Sequence, residues 1–560
     1  MHGRAIQGAP LCSLRERQTD MTSASRIRKR SLAVLGGTAI AALALAGCSA
    51  GGGSNTTAAT TVTVGTTDKV TTLDPAGSYD NGSFALMNQV YPFLMNSKPG
   101  TSDVEPDIAA SAKFTSPTEY TVVLKKGLTF ANGDKLTASD VKFSFDRQLK
   151  IADQNGPSTL LYNLDSTEAK DDTTVVFKLK AANDQVWPQI LSSPAAPIVD
   201  EQVFSADKVT TDDEIVKGKA FAGQYTISSY KFNQLVQFKA NPKYQGVLGA
   251  PKTATINLKY YTDQSNLKLD VQKGDIDVAA RSLSATDVES LQKDSKVKVT
   301  TGPGGEIRYI VFNFNTQPYG ATTPEASPAK ALAVRQAVAD LVDRDAIAKQ
   351  VYKGTYLPLY SYVPAGLTGA NTALKGIYGD KKGGPDADAA KAALTAAGVT
   401  TPVSLNLQYN PDHYGASSGD EYALVKSQVE AGGLFKVNLQ STEWVQYSKD
   451  RVADLYPAYQ LGWFPDYSDA DNYLSPFFAE GNFLGNHYAD PEVDALIKQQ
   501  AVETDAAKRV TEIQDIQDKV AAQLSTIPLL QGAQVVVAGK TVKGVTLDAS
   551  FKFRFGTLSK

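Results

Sequence analysis

Apolar positions fall into short blocks whose period switches between two and about three and a half residues. Residues 61–64 alternate, with Val62 and Val64 on one side, and residues 120–124 and 173–179 are rich in β-branched and aromatic types, so each predicts a strand. Asn132-Gly133 reads as a turn between such blocks. Thr137 followed three residues later by Asp140 makes an acidic capping box. Val141, Phe145 and Leu149 then continue at helical spacing. A long helix is predicted from Ala329, with Val334, Val338, Leu341 and Val342 as its apolar stripe. Asp490-Pro491 opens another over Val493, Leu496 and Ile497, and Asp505 a third over Val510, Ile513, Val520 and Leu524. Thr301-Gly302-Pro303-Gly304-Gly305 predicts a break, and residues 308–314 a strand after it. The mixture is irregular and without an internal repeat. It predicts an α/β or α+β chain, and 560 residues are too many for one core.

The N-terminal pattern is different. Arg26, Arg28, Lys29 and Arg30 precede an uncharged stretch, residues 31–47, which has signal-peptide length and is short for a membrane span. It ends in Leu45-Ala46-Gly47-Cys48, which resembles the lipobox of bacterial lipoproteins. That resemblance implies that residues 1–47 are a signal peptide and that Cys48 is the lipid-attachment site. Residues 48–60, Gly-, Ser- and Thr-rich, then form a flexible tether holding the body on the outer face of the cell membrane. Met21 lies just before the basic cluster and is an alternative start, which would leave residues 1–20 untranslated.

Charge and composition remove several function classes. The net charge of −3 argues against a nucleic-acid partner. The two cysteines, Cys12 and Cys48, both precede the body, and of three histidines only His413 and His487 lie in it, so neither a thiolate cage nor a histidine metal centre is expected. No Gly-x-Ser-x-Gly elbow, P-loop or dinucleotide fingerprint accompanies those histidines. Asp469, Asp471 and Glu480 fit parts of a calcium-loop spacing. Tyr473 and Leu474 occupy positions where that loop needs an oxygen ligand and a glycine, which rules the loop out. No cofactor is expected.

The richest segment is Gly462-Trp463-Phe464-Pro465-Asp466-Tyr467-Ser468-Asp469. Such a turn is commonly a solvated loop, but an exposed tryptophan forfeits a large apolar burial. This block resembles the late aromatic-acidic block of the bacterial extracellular solute-binding proteins, family 5, which bind peptides, nickel or opines. Thr72-Leu73-Asp74-Pro75-Ala76, Phe130-Ala131-Asn132-Gly133, residues 136–144, Val334-Arg335-Gln336-Ala337 with Asp343-Arg344, Asp490-Pro491-Glu492-Val493-Asp494 and Ile527-Pro528-Leu529 resemble further blocks, in family order.

The resemblance implies a two-lobed, periplasmic-binding-protein-like α/β fold with two crossover strands. The first lobe would span 61–305, with an inserted subdomain at about 105–219. The second would span 306–526, and 527–560 would return to the first, the crossings falling near Gly305-Glu306-Ile307-Arg308 and Ile527-Pro528. It implies a monomeric, non-enzymatic lipoprotein that delivers peptides to ABC-importer permease subunits. Asp466 would pair with a ligand α-ammonium, with Trp463, Gly462 and Phe464 beside it. Asn482, Tyr79 and Asn313 are further ligand-binding candidates. Gln460 stands where some relatives carry an arginine for the peptide carboxylate, so a fixed ligand length is not implied. The alternatives are a sugar, opine or metal-chelate binder, or a secreted hydrolase using paired carboxylates.

Overall fold

The computed structural model describes residues 61–560 apart from 282, 412, 416 and 551; the basic cluster, the apolar run, Cys48 and the tether lie outside the described residues. The body is built on one eleven-stranded sheet. Its order runs Phe435–Ser441, Val403–Tyr409, Ala458–Trp463, Val297–Phe312, Thr526–Gly539, Val278–Ala280, Thr61–Thr66, Thr255–Tyr260, Leu235–Ala240 and Tyr225–Lys231, with Tyr356–Pro358 pairing on Thr526–Gly539. A separate antiparallel sheet of four strands contains Glu119–Leu124 and Thr174–Leu179, close to the strands predicted there. The fold is the two-lobed α/β architecture expected from the resemblance.

Three large apolar cores hang on this framework. One contains Val62, Val64, Phe238 and Val536, a second Phe130, Phe145, Phe177 and Trp187 beneath the four-stranded sheet, and a third Ile307, Val334, Tyr459 and Leu530. The strand Thr526–Gly539 joins the first core to the third, and Val297–Phe312 joins the third to a smaller fourth core that holds Val297, Leu267 and Val537. Ile527, Leu529 and Leu530 lie in the third and Val536 and Ala538 in the first, so the second passage falls later than Ile527-Pro528. The Gly/Pro break at 301–305 is not a loop. The strand continues through it, and the pairing register shifts between Pro303 and Ile307. Glycine is required there: a Cβ on Gly304 would stand 2.4 Å from the Gly532 carbonyl oxygen of the partner strand.

Helix starts follow local capping chemistry. Both arms of the Thr137–Asp140 box form, and Ser327, Asp490 and Asp505 accept backbone N–H bonds at the heads of Pro328–Leu341, Pro491–Gln500 and Ala506–Gln523. Leu149 departs from the predicted stripe: it is 39% exposed, whereas Val141, Ser144, Phe145 and Gln148 are buried. Eight residues of helix turn Leu149 about 80° away from Val141, off the buried face.

Several family-like blocks prove to be fastenings. The Arg147 guanidinium grips Asp74 through bonds of 2.8 and 2.5 Å, both side chains being almost wholly buried. Asp74 also accepts from the Ala76 and Thr210 N–H groups. Arg335 donates to the Gln523 carbonyl and Arg344 to the Pro528 carbonyl, which fixes the entry to the second crossover strand. Asp469 is held bidentately by Arg509, and Asp471 accepts from Ser475 and Gln500 at the head of the helix Asp471–Phe478.

Breaking the Asp74–Arg147 pair from one side leaves a buried charge unpaired. Arg147→Met is therefore expected to cost about 3–5 kcal/mol. Adding Asp74→Asn to it should recover part of that loss in chemical denaturation. A double variant that loses the sum of the two single effects would show the pair to be uncoupled.

Candidate functional site

The strand Ala458–Trp463 pairs with the first crossover strand, Gly462 opposite Arg308 and Trp463 opposite Ile307. A Cβ on Gly462 would stand 2.7 Å from the Ile307 carbonyl oxygen, so that position is closed to larger residues. The Gly462 carbonyl accepts from the Tyr414 and Tyr309 hydroxyls. Beyond Trp463 the chain turns through Phe464-Pro465-Asp466 into the helix Asp471–Phe478.

One side chain fixes that turn. The Asn472 carbonyl oxygen accepts from Trp463 Nε1 at 2.9 Å and from the Asp466 N–H at 3.0 Å, while its amide donates to Asp466 Oδ2 at 3.1 Å. Trp463 is also packed edge-on against Phe477 and Phe483. Tyr467, four residues after Trp463, is buried in the core beneath the four-stranded sheet. The segment therefore spans the space between cores.

A cavity of about 470 Å³ opens here, within the range of small-ligand sites. The first-lobe side supplies Tyr79, Asp80, Asn81, Phe84 and Pro194. The second supplies His413, Tyr414, Trp444, Phe483 and the residues 462–466. The Tyr79 hydroxyl reaches across and donates to Asp466 Oδ1. The His413 ring lies flat on Trp444, centroids 3.8 Å apart, and Tyr414 stacks toward Phe464. Tyr414 is held from behind by Arg308, which donates to its carbonyl at 2.8 Å and is itself paired with Glu306.

Burial pushes the Asp466 carboxyl above the usual aspartate range, an effect only partly offset by the bonds from Tyr79 and Asn472. Both donors are neutral. The site thus stores a carboxylate short of positive charge, facing a largely aromatic space.

Asp466, Trp463, Gly462, Phe464 and Tyr79 all meet at this cavity, and Asn313 and Asn482 do not line it. Asn313 is fully buried in a loop: its amide donates to Asp454, and its carbonyl oxygen accepts from the Asn315 and Thr316 N–H groups. Asn482 donates to the Tyr488 carbonyl, next to the lining residue Phe483. Sequence reasoning missed Asn472, His413, Tyr414, Trp444, Phe84 and Phe483. Trp444 carried the same signal as Trp463: there are only three tryptophans, and it is incompletely buried whereas Trp187 is enclosed.

Comparison with known proteins bears on the family and the fold. The family model for bacterial extracellular solute-binding proteins, family 5 Middle, matches residues 103–485. The chain is 25% identical over 507 residues to the probable D,D-dipeptide-binding periplasmic protein DdpA of Escherichia coli, covering 87% of this chain and 92% of that one. It is 25% identical over 491 residues to heme-binding protein A of Haemophilus influenzae, covering 82% and 85%. Among solved structures, HbpA2 of Haemophilus parasuis superposes with a TM-score of 0.75 at 22% identity, over 89% of this chain and 99% of that chain.

Because folding raises the Asp466 carboxyl's proton affinity, its charged form opposes folding at neutral pH. The native state gains stability as pH falls through the folded value toward the ordinary aspartate range. Asp466→Asn should therefore raise the melting temperature of the ligand-free protein at neutral pH. The gain should disappear below about pH 3.9. A variant less stable than wild type at neutral pH would contradict an uncompensated, half-buried charge.

Proposed function

The chain belongs to the bacterial extracellular solute-binding proteins, family 5, and from that premise we propose that it captures peptides in the interlobe cavity for an ABC importer. As a member of this family it is a binding protein and not an enzyme. The observation that carries the peptide reading is Asp466: a half-buried carboxylate at the cavity wall whose hydrogen bonds come from the neutral Tyr79 and Asn472. A ligand α-ammonium supplies the missing charge, and displacement of the Tyr79 hydroxyl frees a lone pair for it. Trp463, fixed by Asn472, gives the flat apolar surface beside that ammonium. Aromatic walls alone would suit a sugar or an opine equally well; the uncompensated carboxylate favours an amine.

Delivery follows from the same reading. The basic cluster, the apolar run and Leu45-Ala46-Gly47-Cys48 support export, cleavage before Cys48 and lipid attachment there. The uncharged tether would hold the monomeric body near permease subunits on the extracytoplasmic face of the membrane. Among the described residues no helix is long and apolar enough to cross a membrane.

Asp466→Ala should weaken binding of a peptide with a free N-terminus by about 3–5 kcal/mol, roughly two to three and a half decades in Kd. It should scarcely alter the weak binding of the N-acetylated form. Calorimetry with both proteins and both peptides completes the cycle. Equal losses for the two peptides would assign Asp466 to loop support. For the anchor, Cys48→Ser is expected to move the protein from the membrane fraction to the soluble fraction and to block maturation. Unchanged partitioning and processed mass would remove the lipoprotein reading.

A further inference from the structure

We propose that the cavity selects amine ligands that bring no carboxylate into it, so that a short peptide binds better as its C-terminal amide than as its free acid. This rests on reading Asp466 as the partner of the ligand ammonium. The charged side chains that line the cavity are Asp466 and Asp80, and no lysine or arginine is among the described lining residues. Asp80 is a fixed acid. It caps the helix Asn81–Val90, accepting from the Ser83 N–H at 2.8 Å and from the Thr71 and Ser78 hydroxyls.

The nearby cations stand behind the aromatic walls and are each bonded to protein groups, with Arg308 Nη1 and Arg451 Nε enclosed and left without a partner. Arg308 lies 4.7 Å from the Tyr414 ring centre and is bonded to Glu306, Tyr356 and the Tyr414 carbonyl. Arg451 lies over Phe483 and donates to the Phe483 and Leu484 carbonyls. Lys552 sits 5.8 Å from the Phe84 ring centre and donates to the Ser192 carbonyl. Gln460 does not substitute for an arginine in the cavity. It is fully buried, donating to Ser418 Oγ and accepting from the N–H and side-chain amide of Asn410.

A carboxylate enclosed here would lose its hydration, face two acids and gain no cation. A carboxamide needs only neutral hydrogen bonds. The absence of a counter-charge therefore acts as a filter against free-acid termini held inside the walls. His413 contributes an imidazole to the lining, stacked on Trp444, and is the group through which a carboxylate could still be held.

The test uses Ala-Phe and Ala-Phe amide, by calorimetry near pH 7.5, with wild type and His413→Phe. The amide is expected to bind at least about tenfold tighter than the acid to both proteins, a difference of about 1.4 kcal/mol. Equal or tighter binding of the acid by wild type overturns the proposal. If that preference for the acid then disappears in His413→Phe, the carboxylate partner is His413. If neither form binds wild type at millimolar concentration, the ammonium reading of Asp466 fails first and this proposal with it. If both forms bind equally well, the ammonium reading stands and the filter alone is refuted.

Discussion

The pairing of Val297–Phe312 with Thr526–Gly539 is the constraint on which everything else hangs. These antiparallel strands are the long members of the eleven-stranded sheet, and each contributes side chains to more than one apolar core. Their register cannot be uniform. At Gly304 the backbone approaches the Gly532 carbonyl too closely for a side chain, and Gln531 fills the irregularity by donating to the Gly304 carbonyl. A register shift at this place bends the sheet locally. Arg335 and Arg344 tie down the strand entering from the second lobe, so the distortion stays confined to the middle.

The candidate site grows directly from that strand pair. Ala458–Trp463 is registered on Val297–Phe312, which sets the position of Trp463, and Asn472 on the following helix turns the chain so that Asp466 faces the opposite lobe. The same carboxylate illustrates a trade between stability and function. Its burial disfavours the charged form, and its protein partners supply dipoles and no positive charge. A well-compensated carboxylate would make the empty protein more stable and would have less to gain from a cationic ligand.

Helix starts were legible in the sequence because capping is local: Thr137 with Asp140, Asp490 with Pro491, and Asp505 each needed only neighbouring backbone. Leu149 was misplaced because periodicity over eight residues drifts off a narrow stripe, and the Gly/Pro segment because its close contact is with a strand more than two hundred residues away. At the site, residues contiguous with Trp463 could be found as a block. Asn472 could not, since an asparagine near a helix start has a bland reading and its three bonds exist only after the turn is formed. Asn313 was a further ligand-binding candidate, but it is consumed by loop hydrogen bonds just past the strand's end. Much of the motif resemblance lies in fastenings such as Asp74–Arg147, and the cavity wall comes largely from residues between the motifs.

The central claim is that this cavity holds a peptide-like amine against Asp466. It is tested most directly by identifying what the protein carries when purified without denaturation from its own host. Native mass spectrometry followed by ligand release should show a bound mass that fragments as a peptide and reacts with an amine-specific reagent only after release. A neutral sugar, a haem or a metal chelate released from wild type and retained equally by Asp466→Ala would contradict the account.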